Sequence, residues 1–264
     1  MTSGSVRITY VGGPTALIEL GAFRLLTDPT FDPAGETYEL PAYTLRKTID
    51  PAVAPGAIGP IDAVLLSHDH HFDNLDRAGR AMLGDARTVF TTISAAERLG
   101  GNAIGLAQWS RHELGGADNS RLLVTAVPAR HGPASGDRGP AIGFVIEIEN
   151  ARAAVYFSGD TVWFDGVFEV SRRFPVRVAL LACGAARVKV AGEANLTFSA
   201  SEMVQAARAF ESAVIVPMHY EGWEHFTETR ADIERAFDEA ALASRLCWPA
   251  PGEPTTITWT PAGG

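Results

Sequence analysis

Residues 65–76 read Leu-Leu-Ser-His-Asp-His-His-Phe-Asp-Asn-Leu-Asp and place three histidines and three aspartates within nine consecutive positions. The preceding residues 61–66 are mostly apolar, as in a strand that is covered on both faces. The cluster therefore follows a buried strand, where open α/β sheets place their ligand sites. Neutral imidazole and carboxylate together suit zinc, and also manganese or iron. We predict a metal site, against the alternative of a polar loop whose histidines bond only to the backbone.

Three later segments repeat this pattern of an apolar strand followed by a polar residue with ligand chemistry. His131 follows residues 124–127, Asp160 follows residues 155–157, and His219 follows residues 214–216. Taken singly, these residues also fit a turn histidine, a helix cap and a core histidine. Because four strand ends carry the same chemistry, we favour one shared site.

Composition indicates a globular protein with few special features. With 264 residues and 46% hydrophobic residues, the chain is expected to form a single domain over 1–264. A net charge of −9 without a basic run argues against binding to a nucleic-acid backbone. The sequence contains no run of about 20 apolar residues, so we predict no membrane span, and residues 1–7 do not resemble a signal peptide. Two cysteines are too few for a disulfide framework, so we predict a cytoplasmic protein.

Periodicity predicts strands and helices in an order typical of two stacked β-layers with outer helices. The predicted strands are 6–11, 16–20, 23–27, 61–66, 88–91, 122–127, 141–149, 153–157, 176–181, 213–216 and 255–259, with a turn around Asn150. The predicted helices are 75–83, 94–99 with Ser94 as its cap, one that begins at the Ser199/Glu202 capping box, and 231–246. Residues 28–60 lack periodicity but contain aromatics, which favours a packed cover over a disordered tail. We predict that this cover is a lid, with a plain structural wrap as the alternative.

Four short segments are similar to a known family. They are residues 10–20 (YVGGPTALIEL), 26–29 (LTDP), 158–161 (SGDT) and 217–220 (PMHY). Their order resembles the metallo-β-lactamase fold superfamily, in particular its branch of ascorbate-phosphate-lactonase-like and phospholipase-D-like metal-dependent hydrolases. The resemblance spans nearly the whole chain. It implies an α/β (α+β) fold, a four-layer αββα sandwich with a dinuclear metal site along one edge.

The histidine cluster at residues 68–74 carries one residue more than the H-x-H-x-D-H pattern of that family. Counting forward from the strand makes His68 and His70 the first two ligands. Counting back from Asp73 gives these places to Asp69 and His71 instead. Both registers cannot hold.

We predict a one-residue bulge that keeps His68, His71 and Asp73 in the ligand positions. Asn74 then stands where the family has its last histidine, and it would be a weak ligand of a second metal. Whether Asp69, His70 or Asn74 binds in addition stays open at this point.

The resemblance implies hydrolysis by a metal-activated hydroxide. The implied ligands are His68, His71 and His131 for the first metal, Asp73 and His219 for the second, and Asp160 as the bridge. Asp73 and Asp160 are the expected catalytic residues, with Asp73 as a proton acceptor if its metal is missing. Asp28, Asp69 or Asp76 could orient the imidazoles from behind.

The predicted function is a zinc-dependent hydrolase, with one or two ions and with manganese or iron as alternatives. Its substrate would be a small ester, lactone or phosphoester. The alternative is a noncatalytic protein of the same fold that binds a small ligand through a degenerate metal site. Residues offered for the substrate pocket are Trp163, Tyr220, Trp223 and His225, with Arg130, Arg187 and Lys189 for an anionic group. The closing helix and strand offer an edge for a homo-oligomer, and the sequence leaves the oligomeric state open.

Overall fold

The computed structural model describes residues 4–116, 118–135, 138–149 and 153–259. The strands are β1 (Gly4–Gly12), β2 (Thr15–Leu20), β3 (Phe23–Thr27), β4 (Thr37–Glu39), β5 (Thr44–Arg46), β6 (Ala63–Leu65), β7 (Val89–Thr92), β8 (Ala103–Leu106), β9 (Arg111–Gly115), β10 (Arg121–Pro128), β11 (Ile142–Ile148), β12 (Ala154–Phe157), β13 (Val176–Ala182), β14 (Val214–Met218) and β15 (Pro254–Trp259). The α-helices are α1 (Arg77–Met82), α2 (Ile93–Leu99), α3 (Asp165–Arg173), α4 (Ala200–Ala209) and α5 (Arg230–Glu239).

Two large sheets carry most of these strands. The first has the order β15-β1-β2-β3-β6-β7-β8, and the second has the order β14-β13-β12-β11-β10-β9. Parallel pairing joins β3 to β6, β7 and β8 in the first sheet, and β12 to β13 and β14 in the second. Because parallel strands end on the same side, the loops after β6, β12 and β14 are gathered at one edge.

The hydrophobic residues form three layers of core that correspond to an αββα sandwich. The largest cluster lies between the sheets and includes Ile8 and Ile18 from the first and Phe144 and Phe157 from the second. A second cluster joins the outer face of the second sheet to α3, α4 and α5. A third joins the first sheet to α1 and to residues of the 28–60 segment. The predicted fold is confirmed.

Most predicted elements are present within a few residues of their expected bounds. The capping box of Ser199 and Glu202 opens α4. Two details were wrong: Thr92, not Ser94, caps α2, and the helical region at 231–246 consists of α5 and a separate 3-10 turn at Ala243–Arg245. Strands β8 and β9 and helix α3 were not predicted. The turn expected around Asn150 lies outside the described residues.

Residues 28–60 form the packed cover that their aromatic residues predicted. A small hairpin of β4 and β5 buries Tyr38 and Leu45 against Trp223. Nζ of Lys47 lies 3.0 Å from Oδ2 of Asp76, and both side chains are buried. This ion pair fastens the cover to the N-cap residue of α1.

A glycine in α1 permits the close approach between this helix and the cover. A Cβ atom added to Gly79 would lie 1.8 Å from the carbonyl oxygen of Pro29. We expect Gly79→Ala to lower the free energy of unfolding by about 1–3 kcal/mol, as overpacking does, although alanine is the better helix former. Gly84→Ala is the matched control, because a Cβ there meets open space. Urea unfolding would measure both variants, and equal midpoints would contradict the proposed contact.

Candidate metal centre

The structure brings all six predicted ligands into one buried cluster at the edge where the strands end. His68 follows β6, His131 follows β10, Asp160 follows β12, and His219 follows β14. His71 and Asp73 lie further along the loop that begins with His68, and both are also buried. Four separate strand ends thus supply one group of imidazoles and carboxylates.

Three imidazoles face one another in the first half of this cluster. Nε2 of His68 lies 3.0 Å from Nδ1 of His71, and Nε2 of His131 lies 3.1 Å from the same atom. The outer nitrogen of His131 lies 2.9 Å from the carbonyl oxygen of Leu196, which can only accept. His131 therefore carries its proton on Nδ1 and directs the lone pair of Nε2 into the cluster.

His68 is fixed in the same tautomer through Ser67 and Asp28. The Ser67 hydroxyl donates to Oδ2 of Asp28 at 2.7 Å, so it accepts from Nδ1 of His68 at 2.9 Å. Nε2 of His68 is then a lone-pair donor that faces Nδ1 of His71. A single proton on His71 can satisfy only one of its two neighbours, whereas a cation could accept electron pairs from all three nitrogens.

Burial keeps His68 and His71 in the neutral form that binds metals. Burial and the nearby imidazoles of His71 and His131 lower the pKa of His68 well below its ordinary value. Burial and His131 likewise lower the pKa of His71 to about 3. At neutral pH both rings are therefore uncharged imidazoles with one free lone pair each, as metal ligands must be.

The second half of the cluster is built from carboxylates and two further histidines. Nδ1 of His219 lies 3.0 Å from Oδ1 of Asp160, and its Nε2 lies 3.7 Å from Oδ2 of Asp73. The same Asp73 oxygen lies 3.0 Å from Nε2 of His225. Among the described residues, neither Oδ2 of Asp160 nor Nε2 of His219 has a hydrogen-bond partner. Buried polar atoms without partners are uncommon, and these two are placed where a cation would fit.

The two carboxylates and the imidazole of His219 shift one another's pKa values in opposite directions. Burial alone would raise the pKa of Asp73, but the hydrogen bond from His225 and the electrostatic interactions with the surrounding imidazoles outweigh it and hold this pKa well below the ordinary value. Burial alone would lower the pKa of His219, but Asp160 and Asp73 raise it overall. This half of the cluster therefore concentrates negative charge, which favours a cation.

His219 stands at a strained position of the backbone that the amino-terminal turn supports. Its φ angle is 55°, in the left-handed region that few non-glycine residues adopt. Its backbone N–H donates to the carbonyl oxygen of Gly13 at 2.8 Å. The Gly12-Gly13 turn of the first sheet thus holds a ligand that follows the second sheet.

The donor set fits a divalent metal. Ligand atoms of His68, His131 and Asp160 lie within 4.8 Å of one another, as do those of His68, His70 and His71. Three imidazoles beside carboxylate oxygens suit zinc, and also iron or manganese.

His68 and His71 lie side by side in this loop, and the bulged register that makes both of them ligands stays a prediction. Oδ2 of Asp69 lies 3.0 Å from Nε of Arg98, so this carboxylate is turned away. Nε2 of His70 lies 2.9 Å from the carbonyl oxygen of Arg138. Nδ2 of Asn74 donates to Oδ2 of Asp28 at 3.0 Å.

Of the three carboxylates offered as alternative outer supports for the imidazoles, Asp28 is the one placed behind a candidate ligand. Asp69 pairs with Arg98, and Asp76 caps α1 and pairs with Lys47. Asp28 supports His68, although it does so through Ser67. Burial raises the pKa of Asp28 to about 7, against the hydrogen bonds from Ser67 and Asn74.

A small pocket opens beside the cluster, with about 260 Å³ of empty space. It is lined by His71, Asp73, His131, His225, Arg138, Tyr43, Leu45, Ala186, Val188 and Leu196. His225 is the one suggested pocket residue among these. Arg138 was missed, because the sequence around it carries neither a strand nor a motif.

The other residues suggested for the pocket have different neighbours. Trp163 and Tyr220 pack against the helical side of the second sheet, and Trp223 packs under the cover hairpin. Arg130 lies over the ring of Phe164. Arg187 pairs with Glu193 and Asn195, and Lys189 lies on an exposed 3-10 turn.

Comparison with known proteins agrees with this architecture. The family model described as the beta-lactamase superfamily domain matches residues 23–220. The chain belongs to the metallo-β-lactamase superfamily. Its narrower placement among the lactonase-like and phospholipase-D-like hydrolases stays a prediction. The described part of this superfamily member contains no helix with the length and apolar character needed to cross a bilayer.

Relatives and solved structures resemble this superfamily member over nearly its whole length. A UPF0173 metal-dependent hydrolase of Rubrobacter xylanophilus is 26% identical over 260 residues, which are 95% of this chain and 96% of the relative. A UPF0173 metal-dependent hydrolase of Pyrobaculum aerophilum is 25% identical over 253 residues, which are 94% of this chain and 98% of the relative. Among structures, an isothiocyanate hydrolase from Delia radicum gut bacteria has a TM-score of 0.81 at 21% identity, covering 96% of this chain and 100% of that one. A possible metal-dependent hydrolase from Veillonella parvula has a TM-score of 0.79 at 18% identity, covering 95% and 99%.

The geometry separates the two registers of the motif in a metal-binding experiment. We expect His68→Ala to lose metal, because it removes one of the three facing nitrogens. Asp69→Ala should retain metal, because that carboxylate pairs with Arg98. Metal content per chain, measured by inductively coupled plasma mass spectrometry, tests both variants. Loss in Asp69→Ala and retention in His68→Ala would contradict the bulged register.

The raised pKa of His219 gives metal binding a defined dependence on pH. Because Asp160 and Asp73 favour the protonated form of this imidazole, a metal that binds its Nε2 must compete with that proton. The apparent affinity should fall as the pH is lowered through this pKa and level off above it. Chelator competition at a series of pH values measures the trend, and an affinity that rises toward acid pH would contradict it.

Proposed function

We propose that this protein is a metal-dependent hydrolase that acts on a small ester, lactone or phosphoester. The observation that carries the proposal is the set of three imidazole nitrogens that face one another beside a pocket. The relatives named as metal-dependent hydrolases support it, because they align with almost the whole chain.

In the proposed centre, His68, His71 and His131 would hold a first metal ion, and Asp73 and His219 a second, with Asp160 between them. Zinc is the proposed ion. A bound divalent cation would act as a Lewis acid and would lower the pKa of water towards neutrality.

Residues of the chain would accept the proton in this reaction and orient the metal ligands. Asp73 lies on the pocket wall, where it would hold the second metal or, if that metal is missing, accept a proton when water attacks the substrate. Asp160 holds His219 through Nδ1 and thereby aims its Nε2. The Leu196 carbonyl likewise holds Nδ1 of His131 and thereby aims its Nε2. These hydrogen bonds fix the tautomers and keep the two ligand nitrogens in place through a turnover.

The pocket favours a small substrate with an apolar substituent. Leu45, Val188 and Leu196 supply an apolar wall, and Arg138 supplies a cation for an oxyanion or a phosphoryl oxygen. The 260 Å³ of empty space includes open solvent, so the enclosed part of the pocket is smaller than this. The named activity of the structural neighbour adds an isothiocyanate to the compounds worth testing, since its electrophilic carbon is also open to attack by water.

A noncatalytic, ligand-binding role is the second candidate. It is favoured by Asn74, whose amide donates to Asp28 where the family motif has a metal-binding histidine. Tight metal binding without turnover of any of these substrate classes would support it.

The hydrolase proposal predicts which variants lose activity. His131→Ala and Asp160→Asn should each lower kcat/KM by more than about 100-fold, because even the loss of an outer hydrogen-bond partner of a metal ligand costs 10–100-fold. His112→Ala is the control, since this histidine packs against Phe90 away from the cluster. Initial rates on a panel of aryl esters, lactones, phosphodiesters and an isothiocyanate provide the readout. Undiminished turnover in both variants, with circular dichroism showing native folds, would refute the proposal.

A further inference from the structure

Asn74 leaves the second half of the cluster with one imidazole fewer than the family motif would supply. Its Nδ2 is engaged by Asp28, and its side chain is fully buried. Without it, the donors proposed for a second metal are Asp73, His219 and the bridging Asp160. A metal held by so few groups would be weakly bound unless another side chain contributes.

His225 lies where such a contribution is needed. Its Nε2 is 3.0 Å from Oδ2 of Asp73, and that same oxygen is 3.7 Å from Nε2 of His219. The His225 side chain is 9% exposed. Two imidazole nitrogens from one loop therefore flank a single carboxylate oxygen.

The loop holds His225 firmly in this position. Its carbonyl oxygen accepts a hydrogen bond from the backbone N–H of Arg187 at 2.9 Å. The ring of Phe226 packs against both His225 and His219, with centroid distances of 4.7 and 5.0 Å. The two imidazoles are thus supported by a common aromatic side chain.

The two ring nitrogens of His225 have different surroundings. Nε2 donates to the Asp73 carboxylate, which can only accept. Nδ1 is buried and has no hydrogen-bond partner among the described residues. Moving the ring proton from Nε2 to Nδ1 would give up the hydrogen bond to Asp73 and would present the Nε2 lone pair to a cation, whose bonds to Nε2 and to the Asp73 carboxylate would offset that loss.

We propose that His225 supplies the imidazole ligand that Asn74 does not, and completes a second metal position with Asp73 and His219. The inference rests on the proposed function, because it presumes that the cluster binds metal. The replacement ligand lies in the loop after β14, six residues beyond His219. Asn74 then has a structural role, as a donor that fixes Asp28.

The competing role for His225 is to donate a hydrogen bond that only positions Asp73. His225→Gln separates the two roles, because a glutamine amide can still donate to Asp73 but is a poor metal ligand. His225→Ala removes both functions, and His112→Ala controls for the loss of a histidine outside the cluster. Circular dichroism and thermal unfolding show whether each full-length variant is folded.

Zinc binding is the readout, independent of activity. Zinc per chain is measured by inductively coupled plasma mass spectrometry, and the Kd of each equivalent by chelator competition. We expect the natural protein and His112→Ala to bind two equivalents. In His225→Ala and His225→Gln the Kd of the weaker equivalent should rise more than about 100-fold, beyond the usual effect of losing an outer partner, with the tighter equivalent unchanged.

Three other outcomes would contradict the inference about His225. If His225→Gln keeps both equivalents with Kd values within tenfold of the natural protein, His225 is only a positioning residue. If the natural protein binds one equivalent that both His225 variants retain, the inference fails while the hydrolase proposal stands. If the natural protein binds no zinc, manganese or iron, the proposed function itself fails, and the inference fails with it.

Discussion

The buried carboxylate of Asp28 is the group on which the arrangement of the centre depends. It accepts hydrogen bonds from the backbone N–H and hydroxyl of Ser67 and from the amide of Asn74. One side chain at the end of β3 thereby fixes both ends of the histidine loop. Through Ser67 it also sets the tautomer of His68. The cost of burying this carboxylate appears as a pKa raised to about 7, which three hydrogen bonds reduce but do not remove.

The insertion in the histidine loop is accommodated without disturbing the strands. Because β6 still ends just before Ser67, the additional residue is absorbed between His68 and Asp73, where His70 turns towards the carbonyl oxygen of Arg138. Asp69 turns outwards to Arg98. The loop therefore gains two anchoring contacts to other segments, while His68 and His71 remain neighbours in the cluster.

Sequence reasoning located the candidate ligands because each one is tied to a strand end. His131, Asp160 and His219 follow apolar runs whose geometry is nearly fixed, so residue type and position together were informative. His225 was predicted only as a pocket residue, since it lies in an irregular loop whose path depends on Phe226 and Arg187. Helix α3 was missed because its first turn contains Gly166, and β9 because it is a short, charged edge strand. The three-residue strands of the cover are too short to show a period.

The buried Lys47–Asp76 pair and the exposed hairpin tip of the cover lie only a few residues apart. The tip at Pro41 and Ala42 is solvent-exposed, whereas Tyr43 and Leu45 beside it line the pocket. Insertions or substitutions at the tip would reshape the entrance while the ion pair keeps the hairpin attached to the body of the protein. Selectivity for new compounds can thus evolve in a segment that contributes none of the proposed metal ligands, so that a change of preference need not sacrifice the chemistry of the centre.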